Sequence, residues 1–485
     1  MISRSLVRAA ASLVTALALS GCATIELDSA VTPVPGPTPA PQIVAPATPV
    51  SAEQKRLAAM FGGAYAFPPA ETYINTVLGK LAAAGDKPAQ AYKVTILNSP
   101  VVNAFALPSG DLFVTRGLLA LANDTSELAA VMAHEIGHVT AGHAQLRAET
   151  EKNHALVVNA TKRLLPGERS QQITEVNQRT FANFSRLQEF EADQIGVRNT
   201  AAAGYDPYGA ARFLTSLGRS ITLRAALFNQ READQPDLMS THPSTPERIA
   251  RATAAARQIG APGIGDAGRN DYLAAIDGID FGDSPADGVI RGRRFSHPRF
   301  GFTFDAPDGF VLENTPQAVL GVADGGAQAL RFDSVHVDTG TALDAYLQSG
   351  WIEGLLPASI QSTAINGLPA ATATARSGEW SFRVAVIQLG ADVYRLIFAA
   401  RDLPTTLDQQ YSASINTFRR MSTAEAAKLR ALRIKVIAAA AGDTAQDMAR
   451  RMASADRPLD QFLLLNGLEK SGPLEAGQKY KIVEE

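Results

Sequence analysis

His134-Glu135-Ile136-Gly137-His138 is the stretch on which the reading of this chain turns. Two His at i and i+4 stand about one helical turn apart, so both imidazoles project from one face toward a single ion. Glu135 lies about 100° round the helix from His134, beside the metal and not on it, where a carboxylate can take a proton from an activated water. Upstream, Asn123-Asp124-Thr125-Ser126-Glu127 supplies an N-cap Asp with Glu three residues on, a capping-box start. Leu128, Val131, Met132 and Val139 then carry helical periodicity through the motif without a Pro. The bland alternative is a solvated helix that happens to carry His and Glu.

A catalytic zinc takes three protein ligands and keeps one position open. His143 is close by, but Ala141 and Ala144 stand where the longer His-Glu-x-x-His-x-x-Gly-x-x-His pattern needs Gly and His. On a continuing helix His143 points about 180° from His134, so it reads as a helix-terminal or surface His and not as a ligand. About fifty residues on, within Ser185-Arg186-Leu187-Gln188-Glu189-Phe190-Glu191-Ala192-Asp193, Glu189 and Asp193 share a helix face. One carboxylate can ligate zinc while the other, a turn away, holds a ligating His in one tautomer. Taken alone, an acidic face paired with Arg186 is the simpler reading.

Four segments together are more specific: Asn103-Ala104-Phe105-Ala106-Leu107-Pro108, the His134 motif, Ser185-Arg186 through Ala192-Asp193, and Gly204-Tyr205-Asp206-Pro207. A fifth is Thr241-His242-Pro243 followed by Arg248. In this order they resemble the HtpX-like and CAAX prenyl endopeptidases, gluzincins that include bacterial periplasmic quality-control proteases. The resemblance implies one Zn2+ per chain on His134, His138 and Glu189, with Glu135 catalytic and Asp193 behind the ligands. It also implies that the region of Phe105, Ala106 and Gly110 forms an edge strand to which a substrate peptide adds by main-chain hydrogen bonds. Here the family's Gly-Gly turn is Ser109-Gly110, which matters little if Gly110 takes the positive φ. His242 has three readings: it stabilises an oxyanion, it closes over zinc as a fourth ligand and holds the enzyme latent, or it caps a structural turn.

Cys22 is the only cysteine, so no intramolecular disulfide can form. Arg4 and Arg8 precede a short apolar run, Ala9 to Leu19, that ends in Leu19-Ser20-Gly21-Cys22. The run is too short to span a membrane and reads as a secretory signal over residues 1–21. Its ending resembles the lipobox of bacterial lipoproteins, which implies lipidation of Cys22 and anchoring in a membrane. Ala23, in place of Asp, resembles outer-membrane sorting, so the expected address is the periplasm on an outer-membrane anchor. The formal net charge of −3 comes without a basic block and gives no sign of nucleic-acid binding.

The expected fold is multidomain. Residues 22–51 are a Pro-rich tether, and 52–260 a mainly α, zincin-type metalloprotease domain with a small β-sheet. Its helices are expected around 52–62, 70–84, 116–146, 172–203, 207–219 and 245–258. A turn-rich linker over 261–289 precedes an α+β sandwich-like domain over 290–421, with strands such as Phe382 to Val386 and Tyr394 to Phe398. That domain resembles the PsbP-like fold, and its His297 and His336 stand alone as structural residues. Residues 430–485, with Gly442-Asp443-Thr444, Asn466-Gly467-Leu468 and a returning last strand, resemble a LysM domain, a βααβ module that binds N-acetylglucosamine-containing glycans such as peptidoglycan. The alternative there is a small αβ cap without a ligand.

These readings lead to a zinc endopeptidase of the bacterial envelope that cleaves misfolded or unassembled proteins. A peptidoglycan hydrolase and a non-proteolytic chaperone or assembly factor of the outer membrane are the competing classes. Against the first stands the absence of a His-x-His signature or a paired-carboxylate glycosidase site. Against the second stands the intact Glu135.

Overall fold

The structure, a computed structural model, describes residues 52–88, 90–150, 152, 168–227, 245–315, 317–338, 340–453 and 457–485. Cys22, His242, the signal and tether segments and most of the stretch from 223 to 239 therefore lie outside the described residues. Among the described residues no helix is long and apolar enough to cross a membrane.

The N-terminal region is helical. α1 (Ala52–Met60) leads to α2 (Pro68–Ala84), which buries Ala70, Ile74, Val77, Leu78 and Leu81 at the spacing of one helix face. A small sheet follows, of β1 (Lys93–Leu97), β2 (Ala104–Ala106) and β3 (Asp111–Thr115) in the order β1-β3-β2. β3 runs parallel to β1 and antiparallel to β2. The β2–β3 turn requires glycine at Gly110: φ is +93°, and a Cβ there would lie 2.3 Å from the Ala91 carbonyl oxygen.

The helix expected over 116–146 is broken twice, into α3 (Arg116–Leu121), α4 (Thr125–Ala141) and a further helical run that starts at His143. The break at Ala122–Asp124 follows from capping. Asp124 is extended, at φ −157° and ψ 173°, so that its side chain can accept from a backbone N–H of the next helix. α5 (Glu168–Ala202) and α6 (Gly209–Leu227) pack on α4, and α7 (Pro246–Ile259) packs on α5 and α6.

From residue 289 the chain is rich in β-structure. A seven-stranded antiparallel sheet has the order β11-β12-β13-β14-β10-β9-β8: β11 Gln361–Ile365, β12 Leu368–Ser377, β13 Trp380–Leu389, β14 Asp392–Ala400, β10 Gln328–His336, β9 Val319–Ala323 and β8 Val311–Asn314. Alternation decides which side chains face which layer. Ala385, Ile387, Leu396 and Phe398 face a core shared with Phe295, Phe302, Phe304 and Tyr411. Val384, Val386, Ile397 and Ala399 pack under Leu347 on the opposite face. The first layer is closed by a four-stranded sheet, β15-β7-β6-β5 (β15 Arg419–Arg420, β7 Phe302–Asp305, β6 Arg294–His297, β5 Val289–Arg291), and by the helix Thr405–Ile415.

The turn-rich stretch after residue 260 is more ordered than its composition suggests. It holds α8 (Arg269–Ile276) and β4 (Asp280–Phe281), and Tyr272, Leu273, Ile276 and Ile279 are buried. β4 pairs with β16 (Leu432–Ala438), which pairs with β17 (Lys479–Glu484). Between these last two strands lie the helices Ala445–Arg450 and Pro458–Leu465, so the C-terminal unit is βααβ. Its Ile434, Met448, Phe462 and Tyr480 belong to the same hydrophobic core as Leu119, Leu128 and Met132 of the helical region. Lys481 is fully buried at this seam, and its ammonium donates to the carbonyls of Ala120 at 2.7 Å and Ala122 at 2.6 Å. It thus closes the C-terminal end of α3, where a cation meets the negative end of the helix dipole.

Candidate metal centre

The helix that carries the opening motif begins at a built cap. Asp124 Oδ1 accepts from Glu127 N at 2.9 Å, and Glu127 Oε2 accepts from Asn123 N at 2.9 Å, one residue earlier than a reciprocal capping box would place it. Arg212 of α6 donates to Asp124 at 3.0 Å, Asp206 at 2.7 Å and the Ser126 hydroxyl at 2.6 Å. Asp206 of the Gly204-Tyr205-Asp206-Pro207 segment therefore supports the start of α4 from the side.

α4 and α5 meet at glycines. A Cβ on Gly196 would lie 3.1 Å from His134 N, and one on Gly137 would lie 3.2 Å from the Ala192 carbonyl oxygen. This close approach lays one turn of α5 directly over the two motif imidazoles. His134 Nε2 is 3.0 Å from His138 Nε2, and Glu189 oxygens lie 3.5 Å from each. Atoms bound tetrahedrally to one zinc at about 2.0–2.2 Å stand roughly 3.3–3.6 Å apart. His134, His138 and Glu189 form a group able to hold a metal ion; the Glu189 distances match zinc, the two imidazole nitrogens stand closer together than that range, and the two-His, one-carboxylate donor set fits zinc.

Behind these donors the side chains are locked. Asp193 Oδ1 lies 3.0 Å from His134 Nδ1, which leaves Nε2 to face the other two donors. Arg248 of α7 grips Asp193 with Nε and Nη2, both at 2.7 Å, and places Nη1 at 3.1 Å from Glu189. Burial would raise the Asp193 carboxyl, but its bonds from Arg248 and His134 outweigh that and hold it below its ordinary value. For His134 burial works against the charged form, yet the carboxylates of Asp193 and Glu189 prevail and push it up to about 9. The cluster is thus short of positive charge.

His143 departs from its expected setting. It follows Gly142, the left-handed C-cap of α4, and is helix-terminal, yet it is only 2% exposed and not a surface residue. The left-handed turn swings it back under the motif. Its Nδ1 is 2.9 Å from His138 Nδ1, and its Nε2 is 3.3 Å from Glu191. With His138 Nε2 facing the metal group, His138 Nδ1–H donates to His143, and His143 Nε2–H to Glu191.

Glu135 is 5% exposed and lines a cleft with His134, Asn103, Ala104, Phe213 and Leu217. β2 is the edge strand of its sheet among the described residues, and Ala104 brings it to this cleft. Phe105 stacks on Phe113 at 4.9 Å, Ala106 is half-buried, and Gly110 sits at the far turn, away from the metal group.

Sequence reasoning missed the contacts of Arg248 and His143. Arg248 was visible only as part of the segment that follows Thr241-His242-Pro243. Nothing local to it points to Asp193, which is 55 residues away.

Residues 68–256 match peptidase family M48. The beta-barrel assembly-enhancing protease of Escherichia coli is 28% identical over 212 residues, which cover 42% of this chain and 42% of that protein. The mitochondrial metalloendopeptidase OMA1 of Arabidopsis thaliana is 32% identical over 158 residues, covering 33% of this chain and 30% of that protein. The chain thus spans less than half the length of these curated relatives. A solution structure of cyanobacterial PsbP from Synechocystis covers 27% of this chain and 98% of its own, at 15% identity and a TM-score of 0.22, a level that assigns no fold.

Proposed function

We propose that the peptidase family M48 domain of this chain is a zinc-dependent endopeptidase. The observation that carries the reading is the convergence of His134, His138 and Glu189, with Asp193 and Arg248 holding two of the three in place. Bound there, zinc would polarise the scissile carbonyl and make water acidic enough to attack near neutral pH. Glu135, next to His134 and facing the cleft, takes the proton from the attacking water and passes it to the departing amine. Asp193 and His143 keep the two imidazoles in the tautomers that ligate. A peptide paired along β2 would pass over Glu135, with Phe213 and Leu217 receiving an apolar side chain.

In the finer reading the helical region is a zincin-type domain, Cys22 is lipidated, and the protein works in the periplasm on an outer-membrane anchor. The name of the Escherichia coli relative, a protease tied to β-barrel assembly, supports envelope proteins as the substrate class. The βααβ order of residues 432–484 supports the LysM-like reading and a grip on peptidoglycan. His242 gates the metal or assists the oxyanion.

The deciding experiment compares wild type and Glu135→Gln on unfolded casein and on purified sacculi. The expected result is casein cleavage by wild type alone, with zinc retained by both. Release of muropeptides would instead identify a peptidoglycan hydrolase, and undiminished casein cleavage by Glu135→Gln would reject the mechanism.

A further inference from the structure

The seven-stranded sheet has two edges, and they are finished differently. At β8, Glu313 pairs with Arg224 of α6, and Asn314 Nδ2 donates to the Asp287 and Gly288 carbonyls at 3.0 and 2.9 Å. At β11, Gln361, Ser362, Thr363 and Ala364 are exposed, so neither face of the strand is covered there. From Gly354 to Ala375 the chain has no charged residue, although 19% of all its residues are charged, and β11 itself holds no Pro. The register of β11 with β12 runs without a bulge. Charged side chains, Pro and bulges are the devices that keep a free edge from pairing, and β11 has none of them.

The turn shows which backbone groups are free. β11 and β12 are joined by Asn366-Gly367, at φ +49° and +77°, a two-residue turn of the I′ kind. In such a hairpin the flanking pair, Ile365 and Leu368, exchanges both backbone bonds, and every second pair beyond it does the same. Thr363 and Gln361 therefore aim theirs at Ala370 and Thr372, while Ser362 and Ala364 turn N–H and C=O outward. Pro369 stands opposite Ala364 and has no N–H to give, as a pair that exchanges no bonds allows. Among the described residues no other backbone bond reaches Ser362 or Ala364.

We infer that the free edge of β11 binds an extended, uncharged segment of an unfolded polypeptide by taking it up as an additional strand. The outward N–H and C=O groups of Ser362 and Ala364 supply the main-chain bonds. A neutral edge offers no counter-charge, so a charged segment would lose hydration without return. Five residues make a strip about 17 Å long, far short of the roughly 1,200 Å² that a stable complex buries. The edge is thus suited to weak, reversible capture of a chain segment and not to a permanent dimer. Ser362, Thr363 and Ala364 present only small side chains, so the edge reads backbone and not sequence, as capture of unfolded chains requires. That choice of occupant rests on the endopeptidase reading, in which unfolded proteins are the substrates.

Fluorescence anisotropy of a labelled eight-residue peptide of alternating Thr and Val tests the inference, read on the full chain carrying Glu135→Gln so that no turnover intervenes. Saturable binding is expected, with the same peptide carrying Glu in place of Thr at least tenfold weaker. Ala364→Pro in this background should weaken the neutral peptide at least tenfold, since the ring removes an outward N–H and leaves the β11–β12 ladder whole. Ala364→Gly keeps that N–H and should bind within about twofold of the parent. Ser362→Lys puts a charge on an exposed edge position and should weaken binding at least fivefold, which covers the case in which the proline variant fails to fold. No binding by the parent, or equal binding by a folded Ala364→Pro, overturns the inference. Dimerisation that Ala364→Pro abolishes, with no peptide bound, overturns it in favour of a second copy of the chain. Because the readout is binding, wild type inactive on casein rejects the endopeptidase reading alone, and absent peptide binding rejects the edge site alone.

Discussion

At the residue scale, the donors sit in a shell that the motif itself does not spell out. Arg248 holds Asp193 with two bonds and touches Glu189 with a third nitrogen. Arg248→Met should therefore lower zinc affinity about 10–100-fold, the usual effect of losing a residue that orients a ligand. Competition with a chromophoric chelator measures this, and unchanged affinity would mean that Arg248 only packs. His143→Phe removes the acceptor for His138 Nδ1–H. It should weaken zinc by about tenfold, within the same range, while leaving the fold intact. The opening motif made His134, Glu135 and His138 legible because a helix sets their spacing. The contact of His143 was not legible, since it depends on the left-handed turn at Gly142.

At the element scale, the closeness of α4 and α5 positions Glu189. Gly196→Leu would press a side chain into His134 and should cost about 1–3 kcal/mol in urea unfolding, in line with other overpacked cores. Zinc content by mass spectrometry should fall with it. Loss of stability with full zinc occupancy would show that the crossing does not set the site. In β6 of the β-rich region, burial pulls His297 down to about 4, with Arg299 adding to the effect. An unfolded His titrates near 6.5, so the unfolded chain binds more protons between these values. The stability due to this neutral His is full above about 6.5 and is lost as pH falls through 4. His297→Phe should flatten that acid limb in thermal melts followed by near-ultraviolet circular dichroism.

At the scale of the whole molecule, the C-terminal unit is part of the helical region's core. Lys481 is pulled below its ordinary pKa by burial, and Arg269 adds to this, yet its bonds to the carbonyls ending α3 favour the ammonium. Lys481→Met leaves those carbonyls without donors and should cost about 2–4 kcal/mol, read as a lowered unfolding midpoint with zinc stoichiometry unchanged. A midpoint within error of wild type would mean that water replaces the ammonium at the seam.

The sequence alone determined what is local. Helical periodicity and two His at i, i+4 specify a ligand face, alternation specifies the strands around residues 380–400, and Gly110 specifies a turn. These signals lie within a few residues of one another, where backbone geometry relates spacing to direction. Tertiary structure alone decided what depends on contacts between distant segments. It brought Arg248 onto Asp193, buried Lys481 against α3, and turned a Gly- and Asp-rich stretch into a strand that joins the C-terminal unit to the helices. A side chain's partner across 55 or 361 residues is chosen by packing, for which periodicity leaves no mark.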